Sequence, residues 1–208
     1  TGQLVEDSKS QQTDTTPAAS YDFPENMYPY RAMLSDTQKE VYDQVYGAAL
    51  ELKESVTLCR QLDQSSIKNV MNAVFNDHSE LFWLDTGYSY GYTSKGAVIS
   101  VMLKYNETAQ TLQSARQKFL NAAAKVINGA SSLTTDLDKE QYVYKALQNM
   151  CVYDENSDMN QSAYSVLING SSVCAGYSRA FQYIMQQLNI PCYFCTGYAN
   201  GGYHAWNI

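Results

Sequence analysis

The chain has 208 residues and a formal net charge of −7, from 14 Lys and Arg against 21 Asp and Glu. This acidic balance argues against nucleic acid or an anionic membrane as the main partner, and the absence of any apolar run of about 18 residues predicts no membrane span. A hydrophobic content of 45%, with 18 tyrosines, is enough for a substantial core.

The first 20 residues are rich in Ser, Thr, Gln and Asp, and their only large apolar side chains are Leu4 and Val5. Such a segment buries too little surface to offset the entropy of ordering it. We therefore expect a flexible polar tether over residues 1–25. A tether of this kind is typical of an exported, surface-anchored bacterial protein, although a cloning remnant explains it nearly as well. An extracellular or cell-surface location is the expectation that follows.

Residues 26–129 are expected to form an N-terminal α+β region. Hydrophobic periodicity predicts helices over 36–55, 64–77 and 108–127, and a strand over 97–105. Ser35 and Gln38 match a capping box at the start of the first of these helices. Asn128-Gly129 is expected to end the last one.

Residues 130–208 read as a separate unit in which helices precede strands. Periodicity predicts helices over 136–150, 163–168 and 174–188, then strands over 190–198 and 203–208. Asp136 and Asp138 fall in the first turn of one helix, where carboxylates favour the helix dipole. A turn is expected at Asn200-Gly201-Gly202.

Five cysteines form an odd set, so at least one thiol is free or pairs between chains. Cys192 and Cys195 form a CxxC pair. Because residues three apart on a strand face opposite sides, we expect packing cysteines here rather than a metal or dithiol site, and a redox pair remains the alternative. Cys59 and Cys151 are also expected to be structural. His78 is expected to have a structural role rather than a catalytic one.

Cys174 and His204 are the candidate catalytic pair. Cys174 opens a predicted helix, where unpaired backbone N–H groups and the positive end of the dipole favour a thiolate. The following strand reverses and a second strand carries His204, which could take the thiol proton. The alternative is that both side chains only pack, since a lone Cys before an apolar helix is more often a buried residue.

The stretch from about residue 140 to 208 resembles the core of the transglutaminase-like superfamily, in its bacterial branch. The matching residues are Tyr153-Asp154, Val173-Cys174-Ala175-Gly176-Tyr177-Ser178, Ile190-Pro191-Cys192-Tyr193, Thr196-Gly197-Tyr198-Ala199-Asn200-Gly201-Gly202 and His204-Ala205-Trp206-Asn207. The resemblance implies a papain-like α+β fold with Cys174 as nucleophile and His204 as its partner. It also implies acyl transfer on protein or peptide amides through a thioester, without a metal or other cofactor. Residues 21–128 more weakly resemble the region that often precedes this core in Gram-positive proteins.

Two positions depart from the family pattern. Ser172 stands where the family usually has Gly, and the family's Asp, which orients the histidine, would lie on a strand beyond Ile208. We therefore expect this chain to be a fragment of a longer protein, active in the parent and weak or inactive by itself. A binding or scaffolding module that keeps the fold without turnover is the competing hypothesis. Transamidation, deamidation and hydrolysis remain open, as do the substrate and the oligomeric state.

Overall fold

The computed structural model describes residues 1–5, 19–199 and 201–208 and has a mixed α/β fold, which agrees with the predicted α+β class at this level. Its chain divides into two compact units. The first comprises Thr1–Asp77 and Trp83–Gln110, and the second His78–Phe82 and Thr111–Ile208. Residues 6–18, most of the predicted tether, and Asn200 of the predicted turn lie outside the described residues.

The first unit combines three helices with a four-stranded sheet. Its helices are α1 (Pro29–Ala32), α2 (Asp36–Leu50) and α3 (Gln64–Asp77), and its strands are β1 (Gly2–Leu4), β2 (Ser55–Leu62), β3 (Ser89–Tyr92) and β4 (Val98–Met102). The strand order is β1-β3-β4-β2, with β1 parallel to β3 and the other pairs antiparallel. Residues Gly2–Leu4, expected in the tether, therefore form an edge strand.

The helix predicted over 36–55 is too long, and the strand that follows it was missed. The capping box is confirmed, since Ser35 accepts from the Gln38 N–H and the Gln38 side chain accepts from the Ser35 N–H. The helix nevertheless ends at Leu50, because Leu52 takes a left-handed φ of 55° that breaks the helical turn. Val56 and Leu58 then alternate inward on β2, a pattern of period two that the long helix concealed.

The second unit contains three long helices and two small sheets. Its helices are α4 (Leu112–Ser131), α5 (Asp136–Met150) and α6 (Cys174–Gln187), and its strands are β5 (Val152–Tyr153), β6 (Ser171–Ser172), β7 (Phe194–Ala199) and β8 (Gly202–Asn207). A short 3-10 turn, Glu107–Thr111, ends the first unit and leads into α4, and a single π-helical turn in the second unit covers Ser165–Asn169. The rings of Phe82 and Phe119 lie 4.8 Å apart, and Tyr183 of α6 lies 4.9 Å from Phe119.

Two boundaries predicted in the second unit are wrong. Helix α4 runs through Asn128-Gly129 to Ser131 instead of ending there. A Cβ on residue 129 would overlap the Tyr142 side chain, so the glycine at this position leaves room for that ring. The strand predicted over 190–198 begins only at Phe194, since Pro191 lacks the N–H that a paired strand uses. Helix α5 agrees with its prediction, and Thr135 caps it by accepting from the Asp138 N–H.

The β7–β8 hairpin packs on α6 and brings the second strand beside the start of that helix. Ala205 of β8 and Phe194 of β7 form a buried cluster with Ala175 of α6. The Arg179 guanidinium lies 4.1 Å from the centre of the Phe194 ring, which adds a cation–π contact to the same interface. The hairpin is therefore held against the first turns of α6. In the described part of the chain, none of the helices has the length and apolar character to cross a membrane.

Candidate active site

Cys174 is the first residue of α6, as the sequence predicted. Val173 before it is extended, with φ −116° and ψ −178°, and provides no side-chain cap to the helix. The first-turn N–H groups of a helix have no partner within the helix, and their dipoles favour negative charge there. The Cys174 side chain is half-buried and packs against the cluster of Ala175, Phe194 and Ala205. The thiol therefore lies at the positive end of a fixed helix.

A buried hydrogen-bond network holds the backbone that leads into Cys174. The Ser172 hydroxyl donates to the Asn160 carbonyl at 2.9 Å and lies 2.6 Å from the Ser165 hydroxyl oxygen. The Val173 N–H donates to the same Asn160 carbonyl at 3.4 Å. Ser172, which departs from the family pattern, is thus fully enclosed and hydrogen-bonded, and the 160–165 segment forms a strap beneath the helix start.

Tyr153 lies next to the start of α6 because β5 pairs with β6. Tyr153 is aligned with Ser172 in this parallel pair, and the Asp154 N–H donates to the Ser172 carbonyl at 2.9 Å. Desolvation, and then the charge of a Cys174 thiolate, raise the pKa of the Tyr153 hydroxyl. The phenol therefore stays protonated beside the thiol at neutral pH and can act as a hydrogen-bond donor.

Cys174 lines a cleft of about 580 Å³ within the second unit. Helix α5 and the segment after it contribute Tyr144, Leu147, Gln148, Cys151 and Tyr153. Helix α6 contributes Cys174, Tyr177, Ser178 and Phe181, while β8 contributes Ala205, Trp206 and Asn207. The volume falls within the range of ligand pockets, roughly 300–1,000 Å³. The thiol therefore faces a space large enough for a peptide segment.

His204 lies on β8, one residue from Ala205, and its imidazole is exposed to solvent. It is paired with Gly197, whereas Ala205 and Asn207 occupy the alternate positions that contact α6. The Asn207 amide donates to the Ser178 carbonyl at 3.0 Å. Among the described residues, no hydrogen bond joins the Cys174 sulfur to the His204 ring. Thus β8 packs beside Cys174, while the predicted pairing of the two side chains stays a prediction.

Cys151 and His78 are buried, and Cys59 belongs to the other unit. Burial raises the pKa of the Cys151 thiol, and the Tyr177 hydroxyl donates to the Cys151 carbonyl. His78 is buried, and its Nδ1 lies 2.6 Å from a Glu80 carboxylate oxygen. Cys59 lies in β2 of the other unit. These positions are consistent with structural roles.

The CxxC pair does not sit on one strand, contrary to the prediction. Cys192 precedes β7 and is buried, whereas Cys195 lies within β7 and is half-buried. Burial, with a smaller contribution from the charge of Glu140, raises the pKa of the Cys192 thiol to about 12. A thiol that keeps its proton at neutral pH is a poor nucleophile for disulfide exchange. The part of the chain described here shows no group of His, Cys, Asp and Glu arranged to hold a metal ion.

Ionisation of Cys192 should make the chain less stable in alkali. An unfolded thiol ionises near pH 8.5, whereas the folded Cys192 keeps its proton to about pH 12. Its contribution is therefore complete below pH 8.5 and is lost as pH rises toward 12. Between pH 8 and 10.5, the free energy of unfolding measured in urea should fall by about 2 kcal/mol more for the native chain than for Cys192→Ala.

Cys59→Ala is the matched control for that comparison, because Cys59 is half-buried on β2 and is not among the groups that raise the Cys192 pKa. The stability of Cys59→Ala should fall with pH as steeply as that of the native chain. If the curves for Cys192→Ala and the native chain remain parallel through pH 10.5, Cys192 does not keep its proton in the folded state. Tyrosines with raised pKa values, such as Tyr105 at about 12, affect all three proteins equally.

Reasoning from the sequence missed most of the cleft. Tyr144 and Phe181 lie on helices that were predicted correctly, but that both line one cleft depends on the packing of α5 against α6. Tyr153 was noted only as part of a resemblance. Its alignment with Ser172 depends on a two-residue strand pair that is too short to leave a periodic signal. The clearest available signal was the excess of tyrosine, which suits half-buried grooves.

The family model of the transglutaminase-like superfamily matches residues 121–208. The match extends from the middle of α4 to the end of the chain and includes Cys174 and His204. It confirms the resemblance inferred from the sequence motifs. This superfamily generally includes cysteine acyltransferases and proteases. No curated protein matches the chain.

Proposed function

Given the match of residues 121–208 to the transglutaminase-like superfamily, we propose that Cys174 is the nucleophile of a thiol-dependent acyl transfer on protein or peptide amides. The observation that carries this proposal is the position of Cys174 at the first residue of α6, on the wall of a 580 Å³ cleft. A nucleophile needs both a group that favours its anion and a space for the substrate carbonyl. The finer proposal is a papain-like core, with α6 packed on the sheet that carries His204.

In the proposed reaction His204 takes the Cys174 thiol proton, and the sulfur attacks the amide carbonyl carbon. First-turn N–H groups of α6 are the candidate donors to the resulting oxyanion. The C–N bond then breaks, the leaving amine takes the proton from the imidazolium, and a thioester remains. Attack by water yields a carboxylic acid, whereas attack by a second amine yields a new amide. In either case the C–S bond of the thioester breaks, His204 takes a proton from the attacking water or amine, and that proton passes to the sulfur to regenerate the Cys174 thiol.

A binding module without turnover is the second candidate function. It is favoured by one observation, the exposed His204 ring with no hydrogen bond to the Cys174 sulfur in the described residues. In that case the cleft binds a peptide segment and Cys174 serves only as a packing residue. The two functions differ in the reactivity of one thiol.

Alkylation by iodoacetamide at pH 6, followed by peptide mass spectrometry, separates these functions. If Cys174 is an activated nucleophile, we expect it to be carbamidomethylated at least tenfold faster than Cys195, which is also half-buried. Because both thiols are in one chain, each measurement carries its own control. Equal rates at the two positions would contradict the proposed acyl transfer and favour the binding module.

The proposed setting is outside the cell or on its surface, with protein or peptide amides as substrates. This location rests on the polar composition of residues 1–25 alone. It stays a prediction, together with the weaker resemblance of residues 21–128 to a region of Gram-positive proteins.

A further inference from the structure

The side chains that line the cleft around Cys174 are aromatic, aliphatic or polar, and the described lining contains no Asp, Glu, Lys, Arg or His. Aromatic rings reach the cleft from α5, β5, α6 and β8; they belong to Tyr144, Tyr153, Tyr177, Phe181 and Trp206. Cys174 lies among them. Because the candidate nucleophile and the rings share one cavity, whatever side chain neighbours the attacked carbonyl must lie against these rings.

Some of these rings are left open to solvent by the fold. Tyr144 is 60% exposed, Tyr153 is 59% exposed and Trp206 is 37% exposed. Large exposed apolar side chains gathered around one cavity are typical of a binding site rather than of a finished core. A ligand ring that enters here removes apolar surface from water on both partners and gains ring–ring contact.

The lack of charged side chains in the described lining argues against substrates that carry a charge at this position. A carboxylate or ammonium group buried in the cleft would find no Lys, Arg, Asp or Glu side chain in the described lining to pair with, and an unpaired buried charge is costly. An acidic substrate also meets a chain whose net charge is −7. A basic side chain can gain from the ring faces, but no carboxylate lines the described cleft to pair with it.

We infer that the acyl side of the substrate carries an uncharged aromatic or large aliphatic side chain, of the Phe, Tyr or Leu type, next to the attacked carbonyl. The cleft then acts as a specificity pocket whose rings enclose that side chain while Cys174 reaches the carbonyl. This inference rests on the proposed function, because it assigns the cleft to the acyl group that Cys174 would accept.

A set of N-acetyl aminoacyl chloromethyl ketones with Phe, Leu, Glu or Lys side chains tests the inference on the native chain. Each rate of Cys174 alkylation is divided by the rate of the same reagent with free cysteine. We expect the Phe and Leu reagents to alkylate Cys174 at least tenfold faster than the Glu and Lys reagents. Equal corrected rates, or a preference for Glu or Lys, would overturn the inference.

Two variants check that the rings cause the preference. Tyr144→Ala removes an exposed ring of the cleft, and it should lower the rate of the Phe reagent, divided by the iodoacetamide rate of the same variant, at least fivefold. Tyr142→Ala is the matched control, because Tyr142 is a partly exposed tyrosine on the same helix that does not line the cleft. If the Phe reagent alkylates Tyr144→Ala as fast as the control, the Tyr144 ring does not contribute to the preference, and the inference is contradicted.

The iodoacetamide rates keep the two failures apart. If Cys174 reacts no faster than Cys195 with iodoacetamide and with every chloromethyl ketone, the proposed acyl transfer fails and the specificity inference falls with it. If Cys174 reacts fast with iodoacetamide but makes no distinction among the four side chains, only the inference fails.

Discussion

Replacement of Gly176 by Ala should destabilise the second unit by about 3 kcal/mol, because the first turn of α6 has no room for a side chain. A Cβ at Gly176 would lie 2.8 Å from the Asn160 carbonyl oxygen and 2.9 Å from the Ser162 carbonyl oxygen, and it would overlap the Ser172 hydroxyl. Two of these three neighbours are backbone atoms, which cannot turn aside as a flexible side chain does. The strap of residues 160–165 must therefore move, and the network that holds the helix start is lost with it.

Urea unfolding measures the loss of stability, and the iodoacetamide rate of Cys174 measures the disturbance of the helix start. The substitution Gly47→Ala in α2 is the control, since a Cβ there meets only the far end of the Tyr21 side chain. In an open helix interior, Ala is favoured over Gly by about 1 kcal/mol, so the control should be neutral or slightly more stable. A Gly176→Ala chain as stable as the control would show that the strap is not closely packed on α6.

Replacement of His204 by Ala should slow acylation of Cys174 by about 10²–10⁴-fold if the imidazole is its general base. The reason is that the thiol proton must leave before the sulfur can attack a carbonyl. The reaction can be followed with p-nitrophenyl acetate, as the release of p-nitrophenolate in the first turnover, without knowledge of the natural substrate. Added imidazole should restore part of the rate, because His204 is exposed and its place is open to solvent.

Tyr203→Ala is the matched control for His204→Ala, since Tyr203 is its neighbour on β8 and is 67% exposed. Its acylation rate should stay within a factor of two of the native rate. Acylation of His204→Ala at the native rate would mean that His204 takes no proton from Cys174. If both His204→Ala and Tyr203→Ala lower the acylation rate equally, the loss comes from disturbance of the hairpin, and the role of His204 in proton transfer is contradicted.

The helices were the most predictable part of the fold, because their caps and apolar stripes are local. The capping box of Ser35 and Gln38 predicted the start of α2. At the start of α5 the Thr135 side chain accepts from the Asp138 N–H, which is also an interaction between residues close in the sequence. Ends were less predictable. The end of α2 depends on a left-handed residue at Leu52, and the passage of α4 through Gly129 is compatible with a Tyr142 ring from the next helix. Neither is visible in the periodicity of one segment.

The sequence alone determined the order of the motifs, the position of Cys174 at a helix start and the hairpin that carries His204. These depend on residues near one another in the chain, where spacing and capping act directly. Only the tertiary structure decided that rings from α5, α6 and β8 surround the thiol, that Tyr153 lies beside it, and that the His204 ring is exposed. Such arrangements follow from the packing of distant elements. The apolar periodicity of a segment shows which of its faces is buried, but it does not show which other element covers that face.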